Sequence, residues 1–430
     1  MKKILVLAYC VSPTRGSEYA VAWNYITRMS KYHKLTVLYG ISGEQMGDIT
    51  ELEEFKTKTP IKNVDFIPVH HSKTTIALNY LNRRHILPFT YYFAFQNWHK
   101  EAYKVAKKLT ENEIFDLVHL LGPIGYREPG YLWKLKLPYI WGPIGGMNNY
   151  PIQLLRATYT LRGKFFFLLR TFLNKFQLKT SYRVKQALKN SNMLLTATTE
   201  NQQCIFKTHH AQSTWLPENG ITEEIKRISD TKFKEKVINL IWIGRIDDFK
   251  AIIIIIKALE NIKQDNLLLH VVGDGFIKKE MEQYAIKKGV NHLIKWHGKV
   301  ARKEVYTILS QAHLHIITSL GEANTTVIWE AMSMGVPTIT LDHCGMHDIV
   351  CEKCGIKIPI KSYAQVIKDF SNKLNEIMQT PELLKELSDG VLECAPYFHW
   401  DRREEFWNKI YDQAISNYKE KITATSSLNS

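Results

Sequence analysis

Two carboxylates eight positions apart, Glu322 and Glu330, carry the most specific chemistry in this 430-residue chain. Glu322 lies in a small polar loop with Gly321, Ala323, Asn324 and Thr325. Glu330 lies in an apolar run that stops at Gly335-Val336-Pro337, a helix-ending signal. An acid in the loop before a helix and an acid on that helix's buried side can face one pocket. Between them, the helix start presents backbone N–H groups, a ready site for phosphate. Carboxylates that accept sugar hydroxyls beside an anion cradle point to a nucleotide-sugar site. The plainer reading of Glu330 is a capping or salt-bridging acid. A Glu between Trp329 and Ala331 on an apolar helix is costly unless it is paired.

Upstream, Ile243-Gly-Arg-Ile-Asp-Asp-Phe-Lys250 sets Arg245 and Lys250 five apart where an apolar run ends. Two fixed cations there would neutralise a diphosphate and stabilise it as a leaving group. Taken alone they are an Arg and a Lys at a strand's end; beside Glu322 and Glu330 they read as functional. Val272-Gly-Asp-Gly275 is a glycine-rich turn after a strand, but it lacks the third glycine of a dinucleotide fingerprint.

The Glu322–Glu330 spacing together with Arg245 and Lys250 resembles the E-x7-E signature of family 4 retaining glycosyltransferases, and the resemblance extends over most of the chain. It implies an α/β fold of GT-B type: two Rossmann-like domains facing across a cleft, with a C-terminal helix crossing back to the first. Carried over position by position, Glu322 holds donor-sugar hydroxyls and Glu330 ribose hydroxyls. Backbone amides around Asn324, Thr325 and Thr326 take the distal phosphate, and Gly244, Arg245 and Lys250 the diphosphate. Gly273 and Gly275 line the nucleotide pocket, and Lys299 and Val300 belong to the segment beside the base. Gly16 matches a glycine loop that donor and acceptor approach, and His119 a histidine pointing at the reacting sugar. Arg127, Glu128, Gly145 and Gly146, in two similar Gly/Pro loops, are candidate acceptor contacts, with structural turns as the alternative. The catalytic set is therefore His119, Glu322, Arg245 and Lys250. The chain departs from the family pattern twice: Ala323-Asn324-Thr325 replaces Gly-Phe-Gly, and Ala251 replaces the glycine that usually follows the lysine.

The implied reaction moves a sugar from a UDP- or GDP-sugar, a substrate rather than a cofactor, to a lipid-linked glycan or polysaccharide acceptor in bacterial surface-glycan synthesis. Asp-x-Asp occurs nowhere, so Arg245, Lys250 and helix amides would replace the divalent ion of metal-dependent glycosyltransferases. No metal is expected. Cys351-Glu-Lys-Cys354 with Cys344, His343 and His347 offers zinc-like spacing, but a loop and strand after the Glu330 helix is the better reading. The competing functions are a GT-B sugar-nucleotide epimerase and a catalytically degenerate GT-B partner subunit.

Charge separates the two halves. Residues 1–200 hold 28 Lys and Arg against 13 Asp and Glu, while the rest is balanced, so the whole net charge of +15 sits in the first half. An anionic partner follows. Residues 151–190 carry nine Lys/Arg and no acid, and Phe165, Leu168, Leu169, Phe172, Leu173 and Phe176 fall on one helical face. An apolar face flanked by cations suits an anionic membrane surface; the alternative is a helix packed on its own domain with a solvated basic rim. No nucleic-acid motif accompanies the charge, so no nucleic-acid partner is expected.

These groups need a scaffold, and the apolar runs supply one. Short runs at Lys3–Tyr9, Leu35–Tyr39, Phe115–Leu121, Leu137–Trp141 and Met193–Ala197 read as parallel strands of one α/β series, with the last closing it. A second series follows the turn cluster Leu216-Pro-Glu-Asn-Gly-Ile221. Ala251 to Lys257, with five isoleucines, has the propensity of a strand, but the preceding strand has already ended and the resemblance implies a helix here. The expected organisation is 1–212 for the acceptor, 213–395 for the nucleotide-sugar, 396–419 for the returning helix and 420–430 as a tail. The run Ile4–Tyr9 is too short for a signal peptide, and no stretch reaches transmembrane length. The expected location is cytoplasmic, peripheral on the inner face of the plasma membrane.

Overall fold

The apolar runs become two all-parallel sheets in the computed structural model, which describes residues 1–41, 50–84, 86–87 and 90–428. The first contains β1 (Lys3–Ala8), β2 (Lys34–Tyr39), β3 (Val64–Pro68), β4 (Leu117–Gly122), β5 (Tyr139–Ile144), β6 (Met193–Thr196) and β7 (Thr214–Trp215), in the order β3-β2-β1-β4-β5-β6-β7. The second contains β8 (Ile238–Ile243), β9 (Leu267–Val272), β10 (Ile294–Gly298), β11 (Leu314–Ile317), β12 (Thr338–Leu341) and β13 (Gly355–Ile358), in the order β10-β9-β8-β11-β12-β13. Both orders reverse beside the first strand of the sheet, at β1/β4 and at β8/β11. Loops diverge at such switch points, and α/β folds place ligands there.

The chain divides into two compact units. One is Met1–Met147 with Lys175–Asn219 and Trp400–Ser430; the other is Asn148–Asn174 with Gly220–His399. The first sheet does not end at β6, as the sequence suggested. Two further residues, Thr214 and Trp215, pair with it as β7, too few to register as a periodic run. The isoleucine run does form a helix, Ile253–Leu259, and Ile253 to Ile256 are all buried. A helix enclosed on every side needs no polar face, which is why its sequence imitates a strand.

The final helix, Trp400–Leu428, belongs to the first unit and continues through most of the stretch expected to be a tail. Its Trp400, Trp407, Ile410, Tyr411 and Ala414 share a core with Ile4, Val6, Tyr25, Ile26 and Val37. Truncating one such tryptophan costs about 3–5 kcal/mol in comparable cores. Beneath this helix runs a chain of polar atoms. The Tyr411 and Tyr25 hydroxyls are hydrogen-bonded to each other. Tyr25 Oη lies 3.1 Å from His119 Nδ1, and His119 Nε2 lies 2.7 Å from the Gly142 carbonyl oxygen. Because a carbonyl only accepts, Nε2 carries the proton and Nδ1 accepts from Tyr25. Gly142 has φ 121°, and a side chain there would overlap the Leu195 carbonyl. Only glycine puts that carbonyl where His119 can reach it.

Burial holds the His119 imidazole down to about 4, whereas the unfolded chain titrates near 6.5. The unfolded state therefore binds a proton that the folded state refuses between those values, so stability falls as pH drops from about 6.5 to 4. We expect acidification over that range to cost on the order of 3 kcal/mol through His119 alone. In denaturant titrations at pH 7, 6 and 5, His119→Gln should lose stability less steeply than the parent. An unchanged slope would mean that the buried ring is already charged.

Candidate functional site

The loops at the C-terminal ends of β8, β9 and β10 meet backbone to backbone. A Cβ on Gly273 would overlap the carbonyl oxygen of Gly244, and one on Gly275 would overlap that of Ile246. The amide of Gly244 bonds the Val272 carbonyl at 3.0 Å, Ile246 N bonds Asp274 O at 2.9 Å, and Gly273 N bonds Gly298 O at 2.8 Å. These glycines are close-approach residues: side chains would push the strand ends apart.

From this seam the charged groups project. Asp247, buried, accepts from the Lys250 amide at 2.9 Å and pairs with the Arg245 guanidinium, whose side chain stays largely exposed. Asp247 thus folds the loop into a tight turn that presents both cations. Lys250 Nζ pairs with the Glu322 carboxylate across 72 positions of sequence, and both side chains are mostly buried. The Glu322 carbonyl accepts from Gly345 N at 3.0 Å, and a side chain on Gly345 would overlap the Ala323 carbonyl. The Glu322 loop is therefore clamped from below by the start of the helix Cys344–Ile349.

Immediately after Glu322 begins the helix Thr326–Ser333. Its N-cap, Thr325, has extended backbone and makes no side-chain cap bond. The first-turn amides thus keep their donors for an anion. Glu330 lies on this helix and pairs with Arg302, 3.3 Å away. Burial pushes its carboxyl up, against the pull of Arg302 and the Tyr306 hydroxyl. Lys299 is exposed and Val300 half-buried just beyond Gly298, which has φ 70°.

In the first unit the expected residues take different roles. His119 is fully buried with both ring nitrogens occupied, so its ring reaches no surface. Glu128 is buried and doubly bonded to Arg183, and Arg127 Nε donates to Gln177 at 2.7 Å. The two Gly/Pro loops are stitched together, with Gly145 N to Ile124 O at 2.7 Å and Tyr126 N to Gly145 O at 3.2 Å. Gly16 and Gly146 face open space, with nothing within 4 Å of an added Cβ. Beside Gly16, Ser17 takes the positive φ of 58°.

Some neighbours of the site carried no sequence signal. Arg302, the partner of Glu330, follows a strand in no motif. Glu18, next to the Gly16 loop, is largely enclosed; burial raises its carboxyl, and Ile124 N lies 3.4 Å from it. In the second unit, the segment 148–174 encloses a cavity of about 620 Å³ with the loops that carry Asp247 and Leu320. Asp248 secures the segment by accepting from Tyr159 N at 2.6 Å and Thr160 N at 3.0 Å. Phe166, Phe167 and Phe249 make the walls largely apolar, and Arg170 stacks on Tyr150 at 4.1 Å.

Residues 223–391 match the family model described as glycosyl transferases group 1. The matched stretch lies within the second unit. It contains Arg245, Lys250, Glu322 and Glu330. An uncharacterised glycosyltransferase of Methanocaldococcus jannaschii, MJ1178, is 22% identical over 315 residues, 73% of this chain and 79% of that protein. Among solved structures, the lipopolysaccharide outer core galactosyltransferase WaaB in its apo form superposes with a TM-score of 0.62 at 16% identity, over 98% of this chain and 99% of WaaB. Anabaena HepE, solved in complex with UDP-glucose, gives 0.58 at 14% identity, over 98% and 100%. Both sheets and the final helix follow that shared GT-B architecture.

The second unit also gives a structural meaning to one departure from the expected pattern. Ala251, where the family usually has glycine, has φ 47° and is buried. An L-residue in the left-handed region is strained by about 1 kcal/mol or more. Ala251→Gly should therefore raise the domain's unfolding free energy by ~0.5–1 kcal/mol, with glycine's greater unfolded-state freedom offsetting part of the relief. Chemical denaturation of the two proteins side by side tests this; a less stable glycine variant would show that the buried methyl outweighs the strain.

Proposed function

We propose that the protein is a retaining, metal-independent glycosyltransferase that moves a sugar from a UDP-sugar, or failing that a GDP-sugar, to a lipid-linked or polysaccharide acceptor in surface-glycan synthesis. The observation that carries this reading is the Lys250–Glu322 pair beside a helix start without a side-chain cap. A nucleotide-sugar offers each member a replacement partner. Its diphosphate takes the ammonium and the helix amides, and its sugar hydroxyls donate to the freed carboxylate. Arg245, already turned outward by Asp247, adds a second cation, and Glu330 takes the ribose hydroxyls. The bond from the anomeric carbon to the phosphate oxygen then breaks as the acceptor oxygen adds from the same face. The acceptor's proton passes to the departing phosphate, whose charge Lys250, Arg245 and the amides stabilise. The acceptor is assigned to the first unit, where Gly16 and Gly146 leave open space. Because Arg183 already holds Glu128, contacts of that loop with an acceptor fall to Arg127. His119, buried with both ring nitrogens occupied by Tyr25 and Gly142, leaves the catalytic set.

Purified protein should bind or slowly hydrolyse one member of a panel of UDP-, GDP- and ADP-sugars without added divalent ion. Lys250→Ala and Glu322→Ala should each lower the rate by ~100-fold or more. A full response from both variants would remove the proposed site, and an intact fold that binds no sugar nucleotide would favour a degenerate partner subunit.

The membrane assignment has its own support. In the helix Leu161–Thr180, Phe167, Asn174 and Leu178 are buried, whereas Phe165 is 62%, Phe172 67% and Phe176 56% exposed. The aromatic face thus points to solvent, flanked by Lys164, Lys175 and Lys179, an arrangement complementary to an anionic bilayer. Among the described residues no helix is long and apolar enough to cross a membrane. We expect the protein to co-sediment with vesicles containing anionic lipid and not with neutral ones, and Phe165→Ser with Phe172→Ser to abolish it. Equal binding of the double variant would relocate the contact.

A further inference from the structure

Three thiols converge in the second unit with no role assigned above. Cys351 and Cys354 bracket a turn that follows the helix Cys344–Ile349, and Cys394 is the last residue of the helix Glu382–Cys394. Cys351 Sγ lies 3.3 Å from Cys354 Sγ and 3.0 Å from Cys394 Sγ, and the three sulfurs are all within 4.8 Å of one another. Cys344 and His347, which spacing alone would recruit, are elsewhere: Cys344 Sγ is 2.8 Å from His343, and His347 bonds Asp342 at 2.6 Å. The residue that completes the group is remote in sequence, and its helix is shaped to bring it there. Gly390, one turn before Cys394, lies directly under the Cys351–Cys354 turn, and a Cβ on it would overlap the Lys353 carbonyl. The Lys353–Glu393 ion pair, 2.8 Å, secures the same contact.

We propose that Cys351, Cys354 and Cys394 bind one thiophilic divalent ion of the zinc class, with a solvent water as fourth ligand. Cys354 is buried while Cys351 and Cys394 are partly exposed, which leaves one side open for the ion to enter. Zinc–thiolate bonds of ~2.3 Å in a tetrahedron set sulfurs ~3.8 Å apart, so the Cys351–Cys354 and Cys351–Cys394 separations need to open by about 0.5 and 0.8 Å. A disulfide, at ~2.05 Å, would require one pair to close by about 1 Å. Binding releases the thiol protons to solvent and leaves a site of net charge about −1. The ion would staple the helix Glu382–Cys394 to the turn behind Gly345, whose amide clamps the Glu322 loop.

The test is a cobalt titration of the reduced, metal-free, full-length protein. We expect one equivalent of Co²⁺ to give thiolate-to-metal absorption and tetrahedral d–d bands, and Zn²⁺ to bleach both and raise the thermal midpoint. Cys394→Ser and Cys351→Ser should each weaken the site ~10-fold or more, and Cys204→Ser should leave it unchanged. Absence of the bands at excess cobalt, or equal affinity in Cys394→Ser, overturns the proposal. So does a Cys351–Cys394 disulfide in protein isolated without reductant, which would make the group a redox pair. None of these readouts depends on sugar transfer.

Discussion

The carbonyl oxygen of Gly244 is the fixed point of the second unit. It faces Gly273 at a separation that no side chain permits, and the same relation recurs between Ile246 and Gly275 and between Ala323 and Gly345. Backbone dipoles in such contact leave little freedom to the loops that bear them. Lys250 and Glu322 are consequently held as an ion pair by strand ends from different parts of the chain. The pair's electrostatic energy matters less than its position. A cation and a carboxylate fixed in place before a ligand arrives need no reorganisation when charge develops beside them.

Histidine, arginine and glutamate look alike in a sequence whether they serve a ligand or the fold, and this chain contains both uses. Lys250 and Glu322 open toward the start of an uncapped helix. Glu128 and Arg183, equally charged, are spent on each other. His119 sits at a strand's C-terminal end, where a ligand-facing residue belongs, but the final helix covers it and Tyr25 and Gly142 take both its nitrogens. The difference lies in which element packs above each residue, a property of tertiary structure alone.

That distinction marks how far the sequence could be read. Most of the short β-rich runs and the glycine-punctuated strand ends were legible because local composition determines them, whereas the buried isoleucine helix was legible only from the strand that ended before it and from the family resemblance. The two-residue β7, the membership of residues 148–174 in the second unit, and the approach of Cys394 to Cys351 were not. Each depends on contacts between segments distant in the chain, and none leaves a periodic trace. The left-handed backbone at Ala251 was half legible: the departure from glycine was visible, and its conformational meaning required φ.

The first unit takes its last helix from residues made after every strand of the second. While the chain is being synthesised, the β1 surface that Trp407 and Tyr411 will cover stays exposed, whereas the second unit already has all six of its strands. Completion of the early domain thus waits on the late one, and a chain interrupted before Trp400 would present an open, aggregation-prone apolar face to quality control.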